Sequence, residues 1–395
     1  MKTTSRFALV AAVSVLLGLA VRPAAAADLG GTGCCADLEE RIAELEATTA
    51  RKGNRVVSLQ VTGQVNKALL IFDDGKNSDA FIVDNDQSGS RIGFKGTAVI
   101  KPGWTAGFNA EFDFQDSATD KVSQGDDEGD ANEIKIRQNY VFIESERLGR
   151  ISLGQQSTSA DGIAEIVLGN SLTDASDIFS SFKVQRKVGG DSGFTVGQFV
   201  DDLDGPREDV IRYDSPSIYG FIVSASWGDN DYADIALRFK KEWNSLRIAA
   251  GVAYQWDETD IVGREILSGS VSAMHIPTGL YVALSGGNVA FDANGVDDGN
   301  FYYAQLGIEK RVLPYGSTTL YADYGKYDGL GIDADNVVLQ GLEAQRYGFG
   351  AVQKFDTAAL EVYANFRVYS FDDNGAGGQA LEDFSTVLIG SRIKF

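Results

Sequence analysis

The sequence contains very little histidine and cysteine for a chain of 395 residues. Its one histidine is His275, and its two cysteines, Cys34 and Cys35, are adjacent near the amino terminus. Two neighbouring cysteines do not make a disulfide framework, and a single histidine without a spaced Cys/His cluster does not make a metal site. We therefore predict no metal, no cofactor and a fold that does not depend on disulfide bonds.

Long apolar runs are also missing, except at the start of the chain. Beyond residue 26, no stretch approaches the ~18 consecutive apolar residues of a membrane-spanning helix. Residues 1–26 combine a basic start, an apolar segment and three small residues ending at Ala26, which is typical of a secretory signal peptide. Cleavage is predicted after Ala26, so the mature protein is exported.

Basic residues are in the minority, since 35 Lys/Arg stand against 56 Asp/Glu. The predicted leader contains three of the basic residues, so the mature chain keeps 32 against 56, a formal charge of −24. A chain this acidic is not expected to bind nucleic acid. The exported protein is therefore periplasmic, secreted or a membrane barrel.

What the mature chain has in abundance is an alternation of apolar and polar residues with a period of two. The last residues, FSTVLIGSRIKF, place Val387, Ile389, Ile393 and Phe395 on one face of a strand. The opposite faces of such segments carry charges too often for a dry core, because an unpaired buried charge costs several kcal/mol. We interpret the apolar face as facing lipid and the charged face as facing water.

Sixteen such segments are predicted, an even number that is typical of bacterial outer-membrane barrels and large enough to leave an aqueous channel. Short and long connections alternate between them. The predicted fold is all-β, a sixteen-stranded antiparallel transmembrane barrel over residues 57–395. The segments are 57–72, 88–100, 104–116, 133–145, 149–156, 207–216, 220–228, 232–243, 246–257, 264–275, 279–289, 300–312, 317–327, 342–355, 358–370 and 384–395.

Strict alternation also assigns individual side chains to the two faces of the barrel. In 235–243 it places Leu237 on the lipid face and Arg238 in the lumen. In 133–143 it places Tyr140 and Phe142 on the lipid face and Arg137 in the lumen.

Four features stand out by their order and spacing: SGSRIGFKG at 88–96, IRQNYVFIESERLGRISLGQQ at 136–156, IRYDSPSIYGF at 211–221 and the terminal phenylalanine. Together they resemble the trimeric Gram-negative general porins, particularly the alphaproteobacterial members, over about residues 57–395. The resemblance implies a homotrimer in the outer membrane, in contact with lipid and lipopolysaccharide. It also implies that the assembly machinery of that membrane reads Phe395.

The resemblance further implies that the third loop, residues 157–206, folds into the channel and presents carboxylates opposite wall arginines. This loop reads ADGIAE at 160–165 where enteric porins have Pro-Glu-Phe-Gly-Gly, so the identity of its pore carboxylates stays open. Fixed charges facing each other across a narrow passage admit small hydrophilic solutes without catalysis, and the acidic excess predicts a mild cation preference. By motif, the candidates are Arg91, Arg137 and, as a weaker third, Arg212 on the wall, with Asp161, Glu165, Asp174 and Asp177 on the loop.

Residues 27–56 form a predicted periplasmic extension. Apolar spacing predicts a short helix over 37–52, which either joins a three-chain coiled coil or remains a solvated amphipathic helix. The mature amino terminus, Ala27, resembles the point where some alphaproteobacterial barrels are joined to peptidoglycan. DNDQSG at 84–89 is interpreted as a loop, because its acidic residues lack the spacing of an EF-hand.

Two other functions stay open on the sequence alone. A substrate-specific channel would have an aromatic track along its pore, for which Tyr321, Tyr363 and Tyr369 have inward parity. An outer-membrane barrel enzyme would usually need a serine activated by a histidine, whereas His275 lies beside a short periplasmic turn. We expect no catalytic residues and place the porin interpretation ahead of both.

Overall fold

The computed structural model describes residues 56–129, 134–229, 231–258, 262–293, 295–333, 337–375 and 378–395. The predicted signal peptide, the helix over 37–52, Cys34, Cys35 and the mature terminus Ala27 lie outside the described residues. Within those ranges, no helix combines the length and the apolar character needed to cross a membrane.

Seventeen hydrogen-bonded segments form one closed antiparallel sheet, and two of them are halves of a single interrupted strand. The barrel therefore has sixteen strands, as predicted. In chain order they are β1 (Ser58–Asp73), β2a (Ser78–Asp84) with β2b (Arg91–Lys101), β3 (Trp104–Asp113), β4 (Lys135–Ser145), β5 (Gly149–Ser157), β6 (Arg207–Asp214), β7 (Phe221–Gly228), β8 (Ala233–Trp243), β9 (Leu246–Asp257), β10 (Arg264–His275), β11 (Leu280–Phe291), β12 (Gly299–Leu313), β13 (Gly316–Asp328), β14 (Leu342–Phe355), β15 (Leu360–Asp373) and β16 (Phe384–Lys394).

The carboxyl terminus closes the barrel. β16 pairs with β1, and beyond it Phe395 and Gly63 exchange backbone hydrogen bonds of 2.9 and 3.0 Å. A Cβ atom at position 63 would lie 2.5 Å from the ring of Phe395, so the ring occupies the space that only a glycine leaves free. The terminal phenylalanine is thus the last rung of the ladder that joins the two ends of the sheet.

β8 shows the lipid and lumen faces predicted from alternation. Ile235 and Leu237 are 45% and 39% exposed, whereas Ala236 between them is 2% exposed. Arg238 points into the lumen, where its Nη2 donates a hydrogen bond to the backbone carbonyl of Asp161 at 2.8 Å. Apolar side chains that are exposed on the outside of a closed sheet are those that a bilayer would cover.

Leu237→Arg is expected to destabilise the inserted barrel by ~2–4 kcal/mol, because it would place a charge on the lipid face near the middle of the membrane. Arg238→Leu should cost only about 1 kcal/mol, since it removes one lumenal hydrogen bond. Refolding titrations into lipid vesicles measure both free energies. Equal costs for the two variants would contradict this assignment of the faces.

The predicted orientation of Tyr140 and Phe142 in β4 is wrong. Glu111 of β3 lies opposite Gln138 while the next residue, Phe112, lies opposite Ile136, so Arg137 is an extra residue in a bulge. A bulge inverts the phase of the alternation that follows it. Phe142 therefore lies inside the barrel, with its ring centroid 3.8 Å from the Arg150 guanidinium. The side chains on the outer face beyond the bulge are Val141 and Ile143, which are 58% and 51% exposed.

The long connection between β5 and β6, residues 158–206, folds into the barrel as predicted, and we call it the constriction loop. It contains a hairpin of Lys183–Gln185 and Asp191–Thr195. Its side chains Phe179 and Phe182 pack edge to face, and Phe182 also contacts Phe72 and Phe384 of the wall at centroid distances of 4.9 and 5.0 Å. This aromatic cluster fills the sector of the lumen beside β1, β15 and β16.

Candidate functional site

The first part of the constriction loop follows the inner wall of β7 to β11. Ser270 of β10 donates its hydroxyl to the carbonyl of Ile163 and accepts the amide of Ile166 at 3.3 Å. Two residues further along both segments, Ser272 accepts the amide of Leu168 at 3.1 Å. The serines that alternate along the lumenal face of β10 thus satisfy the backbone of a loop that has no strand partner there.

Arg346 of β14 fixes the middle of the loop. Its fully buried guanidinium donates to three successive carbonyls, reaching Ser176 at 2.5 Å, Ala175 at 3.4 Å and also Asp174. The ring of Tyr303 lies 5.1 Å from the guanidinium carbon. Arg346 therefore ties the middle of the loop to β14, whereas the predicted arginines Arg91 and Arg137 lie on β2b and β4.

The structure brings Arg91 and Arg137 together on the wall. Arg137 Nε lies 3.0 Å and Arg91 Nε 3.9 Å from the same carboxylate oxygen of Glu111. Arg207 and Arg392 are further charged groups close enough to act on Arg91. Sequence reasoning missed Glu111, Arg207 and Arg392. Alternation along β3 and β16 could have indicated the inward parity of Glu111 and Arg392. Arg207, however, has the parity of Ile211 and Tyr213 in β6, which are 48% and 40% exposed, so alternation would have placed it outward.

Arg212 lies apart from this group, at the base of the constriction loop. Its Nε and Nη2 donate to the carboxylate of Asp214 at 3.1 and 2.7 Å. Its Nη1 donates to the carbonyls of Ser157 and Thr158 at 3.0 and 2.8 Å. The charge of Arg212 is thus largely neutralised, and its contacts hold the start of the loop rather than face the passage.

Three of the four predicted loop carboxylates belong to one acidic cluster. Asp161, Glu165 and Asp174 lie near Asp202 and Asp204 from the end of the loop, which were not among the predicted constriction residues. Asp161 is 3.4 Å from Arg207 Nη2, while Asp204 accepts the amides of Gly162 and Ala164 at 2.5 and 2.9 Å. The two ends of the loop thus meet at these carboxylates.

The fourth carboxylate, Asp177, lies elsewhere. Its Oδ1 accepts the amide of Phe179 at 3.1 Å and faces the hydroxyl of Tyr369 at 3.5 Å, within the aromatic cluster. Burial raises the pKa of Asp177 to about 6. Its position behind the loop removes it from the set of groups that face the passage.

The acidic cluster holds more negative charge than its surroundings neutralise. Repulsion by Asp174, followed by burial, raises the pKa of Glu165 well above its usual range. Burial, with repulsion by Asp204 next, does the same to the pKa of Asp202. Burial, with a smaller contribution from Asp161, raises the pKa of Asp204 to about 7.

The same cluster is the part of the described chain with the geometry to hold a metal ion. One carboxylate oxygen each from Glu165, Asp174 and Asp202 lie within 4.8 Å of one another. Oxygen ligands of this kind suit Ca²⁺ or Mg²⁺, whereas transition metals take nitrogen or sulfur.

The chain matches the family model described as Gram-negative porin over residues 11–374. Among solved structures, it is similar to the anion-selective porin from Comamonas acidovorans, with 18% identity over 86% of this chain and 100% of that one and a TM-score of 0.60. It is also similar to the trimer form of OmpT from Vibrio cholerae, with 15% identity, coverages of 86% and 100% and a TM-score of 0.56. A mutant of the Rh. blastica porin gives 16% identity, coverages of 85% and 100% and a TM-score of 0.51. No curated protein sequence matches the chain significantly.

Proposed function

Because the chain belongs to the Gram-negative porin family, we propose that it forms a water-filled channel of the bacterial outer membrane for passive diffusion of ions and small hydrophilic solutes. The observation that supports this proposal is that the lumen contains fixed charges of both signs. Arg91 and Arg137 share Glu111 on the wall, and Asp161 heads the acidic cluster of the loop. Opposite charges across a narrow aqueous passage orient water and dipolar solutes.

Swelling of liposomes that contain the purified protein tests this function. Uptake of uncharged sugars should be rapid for the smallest and fall steeply with size, because the constriction loop narrows the lumen. Liposomes that swell no faster than protein-free controls in any sugar would refute the proposal.

Two observations favour this function over the alternatives. Tyr321, Tyr363 and Tyr369 point inward but are buried, so they supply no exposed aromatic track for a specific substrate. His275 Nδ1 lies 2.8 Å from Thr278 Oγ1 in an exposed turn, away from the constriction loop. The positions of these tyrosines and of His275 support a channel rather than an enzyme.

The mild cation preference belongs to the same proposal, and it should depend on pH. Asp204, with a pKa of about 7, and Glu165, with a raised pKa, are protonated in acid and ionise as the pH rises. The K⁺-to-Cl⁻ permeability ratio should therefore increase between about pH 5 and pH 8, where ordinary carboxylates are already ionised. Reversal potentials in a salt gradient measure it, and Asp204→Asn should flatten the curve. A ratio that is constant over this range would contradict the placement of the cluster at the passage.

We also propose a homotrimer, which the trimeric form of the V. cholerae relative supports. Native mass measurement in mild detergent should give three chains for the mature protein. A variant without residues 28–52 shows whether the extension contributes, since trimers in both proteins would make the predicted helix an accessory. Monomers in both would overturn the proposal.

Further parts of the proposal concern the membrane environment. Phe395, which closes the sheet against Gly63, is proposed as the residue that the assembly machinery reads. The acidic outer loops would bind lipopolysaccharide through bridging divalent cations. We also propose that Ala27, the mature amino terminus, is attached to peptidoglycan.

A further inference from the structure

The second barrel strand is interrupted between β2a and β2b, where Asp86–Ser88 form one turn of 3₁₀ helix. The segment is the DNDQSG stretch that sequence reasoning interpreted as a loop. The side chain of Asn85 accepts the amide of Gln87 at 3.1 Å and so caps the turn. We call Asp86–Ser88 the β2 turn.

Lumenal side chains of β1 hold the β2 turn in place. The side-chain Nε2 of Gln64 donates to the carbonyls of Ser88 and Gly89 at 2.7 and 2.8 Å. Asn66 donates to the same Ser88 carbonyl at 3.0 Å. Both side chains are buried on the inner face of β1, so the turn that they bind projects into the barrel.

Gln87 joins the β2 turn to the constriction loop. Its Nε2 donates to the Asp174 carboxylate at 2.8 Å and to Ser176 Oγ at 3.2 Å. Arg346 of β14 binds the backbone of the same three loop residues, 174–176. Residues 174–176 are therefore held at both ends, their carbonyls by β14 and the Asp174 carboxylate by the β2 turn.

The chemistry of this contact bears on selectivity. Asp174 belongs to the acidic cluster, where one of its carboxylate oxygens lies within 4.8 Å of one oxygen each of Glu165 and Asp202. A neutral amide donor fixes the direction of a carboxylate without cancelling its charge, whereas an arginine would bring an opposite charge.

We propose that the β2 turn is a second constriction element and that Gln87 is a positioning residue that holds the Asp174 carboxylate directed into the acidic cluster. This inference rests on the proposed channel function. Gln87 acts on permeating ions through Asp174, so its effect must disappear when position 174 carries no charge.

The test is a double-mutant cycle in which the K⁺-to-Cl⁻ permeability ratio at one fixed pH is the readout. Gln87→Met keeps the length of the side chain and removes its donor. Without that donor, the Asp174 carboxylate is no longer held toward the acidic cluster, so the variant should lose a large part of the cation preference that Asp174→Asn loses. In an Asp174→Asn background, the same substitution should produce no further shift.

Gln115→Met is the matched control, because Gln115 donates to Asp86 of the same turn at 3.0 Å and to Asp113 of β3 at 2.9 Å, neither of which belongs to the constriction loop. It should leave the permeability ratio unchanged. Equal shifts from the two glutamine variants, or a Gln87→Met shift that persists in the Asp174→Asn background, would overturn the inference.

If Gln87→Met does not assemble, Gln87→Asn serves instead, and its shift must likewise vanish without the Asp174 charge. A wild-type protein that gives no current would refute the channel function itself, which is a separate outcome.

Discussion

Arg346→Met is expected to free the middle of the constriction loop and to turn a steady channel into one whose current fluctuates between levels. The substitution removes the guanidinium that donates to the carbonyls of Asp174, Ala175 and Ser176, although Ala175 keeps a second donor, the Tyr327 hydroxyl at 2.7 Å. Each carbonyl left buried without a donor costs about 1–3 kcal/mol. A folded barrel can avoid that cost by letting the loop move into water, so the loop loses its fixed position while the strands remain paired.

Arg367→Met is the control for this prediction. Arg367 lies on the neighbouring strand β15 and is 1% exposed, and its nitrogens make no hydrogen bond among the described residues. Because Arg367 holds no carbonyl of residues 174–176, its replacement should leave the middle of the loop attached to β14. Single-channel recordings of both variants should show excess noise for Arg346→Met alone. Equal noise in both would mean that Arg346 has no special role in holding the loop.

The second large effect is expected from the loop carboxylates that face the passage. Asp161→Asn with Glu165→Gln should shift the selectivity strongly toward anions, because Arg207 then loses its partner 3.4 Å away. Asp161 should contribute the larger part of the shift in mildly acidic solution, since repulsion by Asp174 and burial raise the pKa of Glu165 and keep it protonated to a higher pH than an ordinary glutamate. The contribution of Glu165 should grow as the pH rises.

Removal of the exposed outer-loop cluster Asp126, Asp127 and Glu128 provides the comparison. Its charges are screened over about 8 Å at physiological salt, so they should affect ion preference much less. Reversal potentials in a salt gradient measure both variants. A shift from the outer-loop variant as large as that from the Asp161/Glu165 variant would mean that the constriction lies elsewhere.

The strands could be predicted from the sequence because their signal is local. A strand in a barrel needs only its own alternation and the short turns at its ends, so the limits of β9 and β10, at 246–257 and 264–275, agree with the structure. Alternation does not predict the structure where pairing with a neighbouring strand decides which residues lie opposite each other. The bulge at Arg137 is a property of the β3–β4 register, and the short β2a exists because β1 is long enough to pair with it.

The site was only partly predictable, for a related reason. Arg91, Arg137 and Asp161 lie in segments that resemble a known family. Asp202 and Asp204 join Glu165 only because the loop returns on itself, and neither their spacing nor their neighbours along the chain indicate this. The same holds for Arg346, whose bonds to residues 174–176 span about 170 positions of sequence.

The central claim is that the barrel contains an open aqueous passage narrowed by the constriction loop. Single-channel conductance of the purified protein in planar bilayers, measured over a range of KCl concentrations, tests it most directly. The structure predicts long-lived steps that are linear in voltage at low potentials and grow in proportion to the conductivity of the bulk solution. An absence of steps, or a conductance that saturates at low salt as in a binding-site carrier, would contradict it.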